Sequence, residues 1–203
     1  MSAESYLKDT MTAVKGLFAL LDYYDHLTYP PSLIQFYDDN GLATMNRFQS
    51  EDYLLAYNES LAFDFSKATL SGSILQVAHK ALEEFSTNTK FPSTAFKLGV
   101  SAKTKLIRYA VGREVQGIPA GLLIYAGRIQ YNHFEEGWQI NNVARSVFEA
   151  LLQHYIDYLS FDMAYELEWP VPRPVSHYLV RHELKWFKIS EYEADMRNML
   201  EMS

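Results

Sequence analysis

The sequence predicts an all-α protein, an antiparallel helical bundle preceded by extra N-terminal helices. Its apolar residues recur mostly at steps of three and four, which is the period of amphipathic helices. Of its 203 residues, 48% are hydrophobic and 21% are charged, the proportions of a globular chain long enough to bury a core. The absence of cysteine excludes a disulfide framework, and any metal site would need His, Asp or Glu.

Residues 1–90 are predicted to form an N-terminal helical layer that packs on a bundle formed by residues 91–203. A first helix is expected over residues 5–27, because its apolar side chains follow the helical period and Ser5 can serve as its N-cap. The other elements expected in this layer are a short helix at 31–37, a turn at 39–41 and a helix at 71–85 that opens at a Ser-Gly-Ser sequence.

Residues 42–65 allow two interpretations. Tyr53, Tyr57 and Leu61 fit one face of a helix, whereas the apolar residues at 61, 63 and 65 alternate as in a strand. We favour the helix. The alternative is an α+β fold with a small hairpin near residues 53–65.

The second half of the chain begins after its best internal break, the Ser/Thr/Asn/Pro-rich segment at residues 87–92. A Gly-Ile-Pro sequence at 117–119 predicts a hinge, and the prolines within 169–174 predict a rigid, extended bend. The helices expected here are those at residues 101–115, 119–131, 139–165 and 190–202, and the one at 139–165 is expected to be the longest.

Charge is distributed unevenly along the chain. The net charge of −7 argues against nonspecific coating of nucleic acid, but residues 97–128 hold six basic side chains and one glutamate, so the rest of the chain carries −12. We call these basic residues the basic strip: Lys97, Lys103, Lys105, Arg108, Arg113 and Arg128. Two interpretations stay open, attraction of an RNA backbone by Lys103, Lys105, Arg108 and Arg113, or pairing with the acidic surface of a second subunit.

Arg128 and His133 are the candidate catalytic pair. On a continuous helix they would lie about 140° apart around the axis, but a helix that ended near Tyr131, with Asn132 in a left-handed cap, would let His133 swing back. An imidazole beside a guanidinium suits cleavage of an RNA phosphodiester, because His133 can exchange a proton and Arg128 can stabilise the developing negative charge. Neither role needs a metal or another cofactor.

The string LLIYAGRIQYNH from Leu122 to His133, followed by a helix with Val-Phe-Glu at 147–149, resembles the HEPN domain. The signature of that family is an Arg separated by four to six residues from a His, between two helices of an α-bundle. The resemblance covers about residues 95–165. It implies a metal-independent endoribonuclease of a toxin–antitoxin or anti-phage system, and a homodimer in which two motifs face one cleft.

The resemblance also implies roles for single residues. Arg128 and His133 would be catalytic, and Asn132 or Gln130 would assist them. The chain departs from the family at Ile129, where many active members have a polar residue. Two other classes therefore stay open, a non-catalytic HEPN-like assembly or sensor subunit of a defence complex, and an acidic inhibitor or immunity-type binding protein. An antitoxin or another defence protein is a possible partner.

Structural interpretations of the same residues also stay open. Arg128 can cap the carbonyls of its own helix, and His133 can bond to Glu135 or Glu136. His177 and Arg181 lie at an i, i+4 spacing that allows a second polar site, and His79 fits a helical pattern as an edge-of-core or surface residue. The first ten residues lack the basic start and apolar run of a secretory signal, and no apolar stretch could span a bilayer, so we expect a cytoplasmic protein.

Overall fold

A computed structural model of the protein describes residues 1–27, 51–90, 92–101, 104–157 and 174–202, without the side chains of 51–54, 56, 57, 60, 138 and 155–157. In these ranges the fold is all-α, as predicted. The α-helices are α1 (Ala3–His26), α2 (Glu51–Phe85), α3 (Ser93–Lys97), α4 (Ala120–Asn132), α5 (Asn142–Asp157), α6 (Ser176–Tyr178) and α7 (Ile189–Met199). None of the helices in these ranges combines the length and apolar composition that a membrane span requires.

Shorter elements connect the helices. Two 3₁₀-helices cover Lys105–Tyr109 and Phe134–Gln139, and a π-helical turn covers Leu179–Glu183. The hairpin consists of β1 (Glu114–Val115) and β2 (Ile118–Pro119), which pair antiparallel. The predicted elements at residues 31–37 and 39–41, and most of the bend at 169–174, lie outside the described residues.

Helix α1 confirms the predicted first helix but begins earlier. Its N-cap is Ser2, whose side chain accepts a hydrogen bond from the backbone N–H of Ser5 at 3.2 Å, so the prediction of Ser5 as the cap is wrong. Cap positions are hard to place when several serines precede a helix, because each of them can make the same bond. The helix buries Leu7, Val14 and Phe18 among its core residues.

Helix α2 is one continuous helix of 35 residues. The alternative hairpin near residues 53–65 is therefore wrong, and so is the helix start at the Ser-Gly-Ser sequence, which lies inside α2. The side chain of Ser73 bonds back to the carbonyl of Thr69 at 3.0 Å, so it satisfies its own hydroxyl without interrupting the helix. The Ser-Gly-Ser sequence at 71–73 therefore allows close packing inside the helix and does not mark a helix end.

Helices α2 and α4 pack antiparallel. We call their line of contact the α2–α4 seam. A Cβ at Gly72 would lie 2.5 Å from Cδ2 of Tyr131, and a Cβ at Gly127 would lie 2.8 Å from Cδ1 of Leu75 on α2. Only glycine allows this approach. The seam residues are Phe65, Gly72, Gln76 and His79 from α2, and Tyr125, Arg128, Tyr131 and the following Phe134 from the α4 side.

The predicted helix at residues 101–115 is wrong. Among the residues of that range that the structure describes, which leave out 102 and 103, only Lys105–Tyr109 are helical, and the chain then forms the hairpin. The hairpin turn needs positive φ at two consecutive residues, which Gln116 (50°) and Gly117 (75°) provide. The glycine assigned to a hinge is thus a turn residue. This hairpin leads directly into α4, whose predicted range is confirmed.

The C-terminal helices are close to prediction. Helix α5 begins at Asn142, where the side chain of Asn141 accepts the N–H of Ala144 at 3.0 Å, and the predicted part of it beyond residue 157 is not described. Helix α2 is longer than α5 over the described residues. One hydrophobic cluster includes Leu75 and Leu82 from residues 1–90 together with Leu123, Phe148 and Trp186 from the rest.

Replacement of Gly72 by alanine is expected to lower the free energy of unfolding by about 1–2 kcal/mol, because the overpacking against the Tyr131 ring exceeds the gain in helix propensity. Urea unfolding of the purified proteins measures this. The matched control is Gly16→Ala on α1, where nothing lies within 4 Å of the added Cβ. We expect that control to stabilise by about 0.5–1 kcal/mol. A Gly72→Ala protein at least as stable as the native chain would contradict the close packing.

Candidate functional site

Arg128 points from α4 toward α2. Its Nε donates a hydrogen bond to Oε1 of Gln76 at 3.1 Å, across the α2–α4 seam. The side chain is partly buried. The interpretation of Arg128 as a cap of its own helix therefore does not describe the observed contact. The amide of Gln76 holds the guanidinium of Arg128 in place. Because an amide is uncharged, it does not neutralise the positive charge of the guanidinium.

A buried aromatic cluster lies next to Arg128. His79 is only 6% exposed, its ring stacks on Tyr109 at 4.9 Å between centroids, and its Nε2 lies 2.9 Å from the Tyr109 hydroxyl. Burial, reinforced by the positive charge of Arg128, lowers the pKa of His79 to about 4. Burial raises the pKa of both Tyr109 and Tyr125. The cluster is therefore neutral at pH 7, and its groups carry no charge that opposes Arg128.

His133 lies at the C-terminal end of α4 as its C-cap. Its backbone N–H still donates to the carbonyls of Ile129 and Gln130, each at 3.1 Å, so the helix is continuous through Asn132. The prediction of a left-handed Asn132 that turns His133 back toward Arg128 is wrong. Since the helical path continues, the two catalytic candidates leave α4 in different directions.

The chain beyond His133 supplies its partner. In the 3₁₀-helix that follows, the N–H of Glu136 bonds to the carbonyl of His133 at 2.9 Å, and residues three apart are eclipsed. This brings Oε1 of Glu136 to 2.7 Å from Nδ1 of His133. The imidazole is 48% exposed. The structural interpretation of His133, a bond to Glu135 or Glu136, is therefore confirmed with Glu136. The carboxylate orients one ring nitrogen, and the other ring nitrogen remains available to a ligand.

The residues between and beside the pair differ in environment. Gln130 is only 1% exposed, and its Oε1 accepts the backbone N–H of Val175 at 3.0 Å, so it joins α4 to the segment before α6. Ile129 is partly buried against the hydrophobic core. Asn132 is exposed beside His133. Of the two predicted assisting groups, Asn132 is at the surface and Gln130 is in the interior.

The basic strip is divided by the fold. Lys103 lies outside the described residues, and Lys105 is exposed. Arg108 donates to the backbone carbonyl of Glu83 at 2.6 Å. Arg113 pairs with Asp195 of α7 at 3.1 Å and also bonds to the carbonyl of Leu184, so it holds the C-terminal helix.

A second polar cluster joins α1 to the C-terminal segment. Arg181, almost fully buried, donates to Asp25 at 2.8 Å and Asp22 at 2.5 Å and to the carbonyl of Trp186 at 2.8 Å. His177 lies 2.9 Å from Asp25. Burial raises the pKa of Asp25, but the hydrogen bond and charge of His177 and the charge of Arg181 outweigh it and lower that pKa. A cavity of about 490 Å³ lies beside the cluster.

Sequence reasoning found half of this second cluster. The i, i+4 spacing of His177 and Arg181 indicated a polar site, but their acidic partners lie more than 150 positions earlier in the chain. No local pattern links such distant residues. Over the described ranges, no group of three or more acidic or histidine side chains is arranged to hold a metal ion.

Comparisons with protein-family models, with curated proteins and with solved structures give no match for this chain. The function is therefore argued from the geometry of three groups. These are the aromatic cluster around His79, the polar cluster around Arg181 and the His133–Glu136 pair.

The lowered pKa of His79 predicts a pH dependence of stability. The unfolded chain binds this proton near pH 6.5 and the folded chain only near pH 4, so stability is full above pH 6.5 and falls as the pH drops toward 4. We expect a loss of up to about 3 kcal/mol from this group. Urea unfolding at pH 7 and pH 4.5 measures it, and His79→Gln should reduce the difference. An unchanged dependence in His79→Gln would contradict the assignment.

Proposed function

We propose that this protein is a metal-independent endoribonuclease of the HEPN type, acting in the cytoplasm in a toxin or anti-phage role. The observation that carries the proposal is the exposed His133 imidazole, held at one nitrogen by Glu136 at 2.7 Å and five residues after Arg128. The defence role rests on the resemblance of the Arg128–His133 segment alone.

In the proposed reaction His133 accepts the proton of a ribose 2′-hydroxyl. The 2′-oxygen bonds to phosphorus, the bond from phosphorus to the 5′-oxygen breaks, and that oxygen takes a proton from water. The hydroxide left from that water takes the proton of the His133 imidazolium, which returns the imidazole to its neutral form. The products are a 2′,3′-cyclic phosphate and a 5′-hydroxyl. Arg128 stabilises the charge on the phosphoryl oxygens, and Glu136 stabilises the imidazolium that forms. DNA lacks the nucleophile and stays intact.

The geometry of α4 supports a homodimer as the active form. Because the helix continues through Asn132, Arg128 and His133 lie about 140° apart around its axis. Arg128 is directed into the α2–α4 seam and His133 is directed to solvent. We infer that one cleft combines Arg128 of one copy with His133 of another. Lys105 and Arg108 of the basic strip would attract the RNA backbone to this cleft.

A non-catalytic assembly or sensor subunit is the second candidate. It is favoured by Ile129, which packs against the core where many active members of the family have a polar residue, and by Gln130, whose amide is used to hold Val175. RNA cleavage separates the two candidates directly.

His133→Ala is expected to reduce RNA cleavage by at least about 100-fold, because the general base is lost. The assay uses mixed tRNA, mRNA and rRNA in EDTA, with mapping of the product ends. Glu136→Gln should reduce cleavage less, since the imidazole remains. The matched control is His26→Ala on α1, a surface histidine that should leave cleavage unchanged. RNA left intact by the native protein, or cut equally by His133→Ala, would overturn the proposed activity and favour the non-catalytic candidate.

Mixing two inactive variants tests the shared cleft. Arg128→Ala and His133→Ala should each be inactive, but a co-refolded mixture should regain cleavage, because each mixed dimer keeps one Arg128 and one His133 in the same cleft. Size-exclusion chromatography with light scattering verifies that mixed dimers form. A mixture as inactive as its components, despite verified exchange, would show that each copy works alone.

A further inference from the structure

We propose that Gln76 is a positioning residue of the nuclease, which holds the guanidinium of Arg128 ready for an RNA phosphate and leaves its charge intact. The inference rests on the proposed function, and it adds to the site a residue that lies 52 positions before Arg128 in the chain. It also states what kind of group position 76 requires, which is a neutral hydrogen-bond acceptor.

Gln76 lies at the rim of the α2–α4 seam, at a point where the helix is closely packed. The residue before it, Leu75, is fully buried, and an added Cβ at Gly127 would lie 2.8 Å from its Cδ1. His79, about one helical turn later, is buried and stacks on Tyr125. The side chain of Gln76 is itself exposed. Its amide therefore starts from a fixed part of α2, and groups on packed helices are placed more precisely than groups on loops.

The hydrogen bond restricts the guanidinium without using all of its donors. Oε1 of Gln76 accepts the bond from Nε of Arg128 at 3.1 Å. A guanidinium is planar and has five N–H donors, so a bond at Nε limits its rotation and leaves the donors of the two terminal nitrogens. Those donors form the fork that binds two oxygens of one phosphate. Arg128 is half-buried, so part of the side chain is open to solvent.

The acidic groups near Arg128 are paired with a lysine. Nζ of Lys80 lies 3.0 Å from a carboxylate oxygen of Glu83 and 2.6 Å from one of Glu84. The hydrogen bond and charge of Lys80 lower the pKa of Glu83, and the charge of Arg128 makes a smaller contribution. Among the residues that the structure describes, no carboxylate forms an ion pair with Arg128. Its positive charge is therefore available to an anion.

The chemical nature of the acceptor at position 76 decides whether that charge stays available. A glutamate there would reach Arg128 equally well, but its carboxylate would form an ion pair and compete with the phosphate. An apolar side chain of the same length would leave the charge but release the guanidinium, which would then lose rotamer freedom on binding. Of these three groups, only the amide holds the guanidinium and does not compete for it.

Two substitutions at position 76 separate the effect of charge from the effect of position. The probe is a fluorescein-labelled single-stranded RNA decamer whose 2′-hydroxyls are methylated, so that it binds without being cut. In fluorescence anisotropy, Gln76→Glu should raise the Kd about 10-fold and reduce the slope of log Kd against log salt by about 0.7, because one phosphate contact is lost. Gln76→Met should raise the Kd only about 3-fold and keep the native slope, because the charge remains.

Urea unfolding distinguishes a positioning role from a merely structural one. Gln76→Glu should have a urea midpoint at or above the native value, because the introduced carboxylate still accepts the bond from Arg128. Its cleavage of natural RNA should nevertheless fall at least about 10-fold. A residue that only joined two helices would not lose function while the stability is retained. Loss of binding in proportion to loss of stability in both variants would therefore overturn the inference.

The matched control is Gln116→Glu in the hairpin turn, where an exposed glutamine receives the same change in net charge. Arg128 lies eight residues, or about 12 Å, beyond the start of α4, so this control should leave the Kd unchanged. A Gln76→Glu protein that binds and cuts as the native protein does, or a native protein that does not bind the probe, would overturn the role of Gln76. The nuclease proposal fails on a different result, which is natural RNA left uncut by a native protein that binds the probe.

Discussion

The antiparallel contact between α2 and α4 is the constraint on which the arrangement of the site depends. It brings the backbone of the longest described helix close to the helix that carries Arg128 and ends at His133. Glycines at 72 and 127 make the approach possible, because a Cβ at either position would overlap a neighbouring side chain. Over this distance Gln76 reaches Arg128, and Phe65 reaches Phe134. A looser seam would separate all of these groups at once.

The seam also sets the electrostatics around Arg128. It encloses His79 with Tyr109 and Tyr125, and burial keeps all three neutral near pH 7. A protonated His79 would be repelled by the positive charge of Arg128. This repulsion adds to the effect of burial and lowers the pKa of His79 further. The outcome is a guanidinium that is held by an amide and lies beside three uncharged aromatic groups.

A second set of charges fixes the C-terminal part of the chain. Arg181 joins Asp22 and Asp25 of α1 to the backbone at Trp186, and Arg113 joins Asp195 of α7 to the carbonyl of Leu184. Arg181 is almost fully buried, and a buried charge is costly unless it is paired, so its guanidinium is a structural part of the fold. Arg113 belongs to the basic strip, and its contacts occupy that part of the strip within the protein. The residues of the strip that remain for an RNA backbone are fewer than the sequence suggested.

The sequence by itself determined the all-α class and the ranges of the helices around Arg128 and His133, because the helical period of apolar residues is a local property. It did not determine the local path at residues 71–73, 101–117 and 132. At those positions glycine, serine and asparagine fit both a helix and a turn, and the choice depended on packing against distant residues such as Tyr131. Glu136 was one of two predicted partners of His133, since residues three apart can meet within one turn. The tertiary structure alone decided that Gln76 holds Arg128 and that Phe65 meets Phe134, because those contacts join residues more than fifty positions apart.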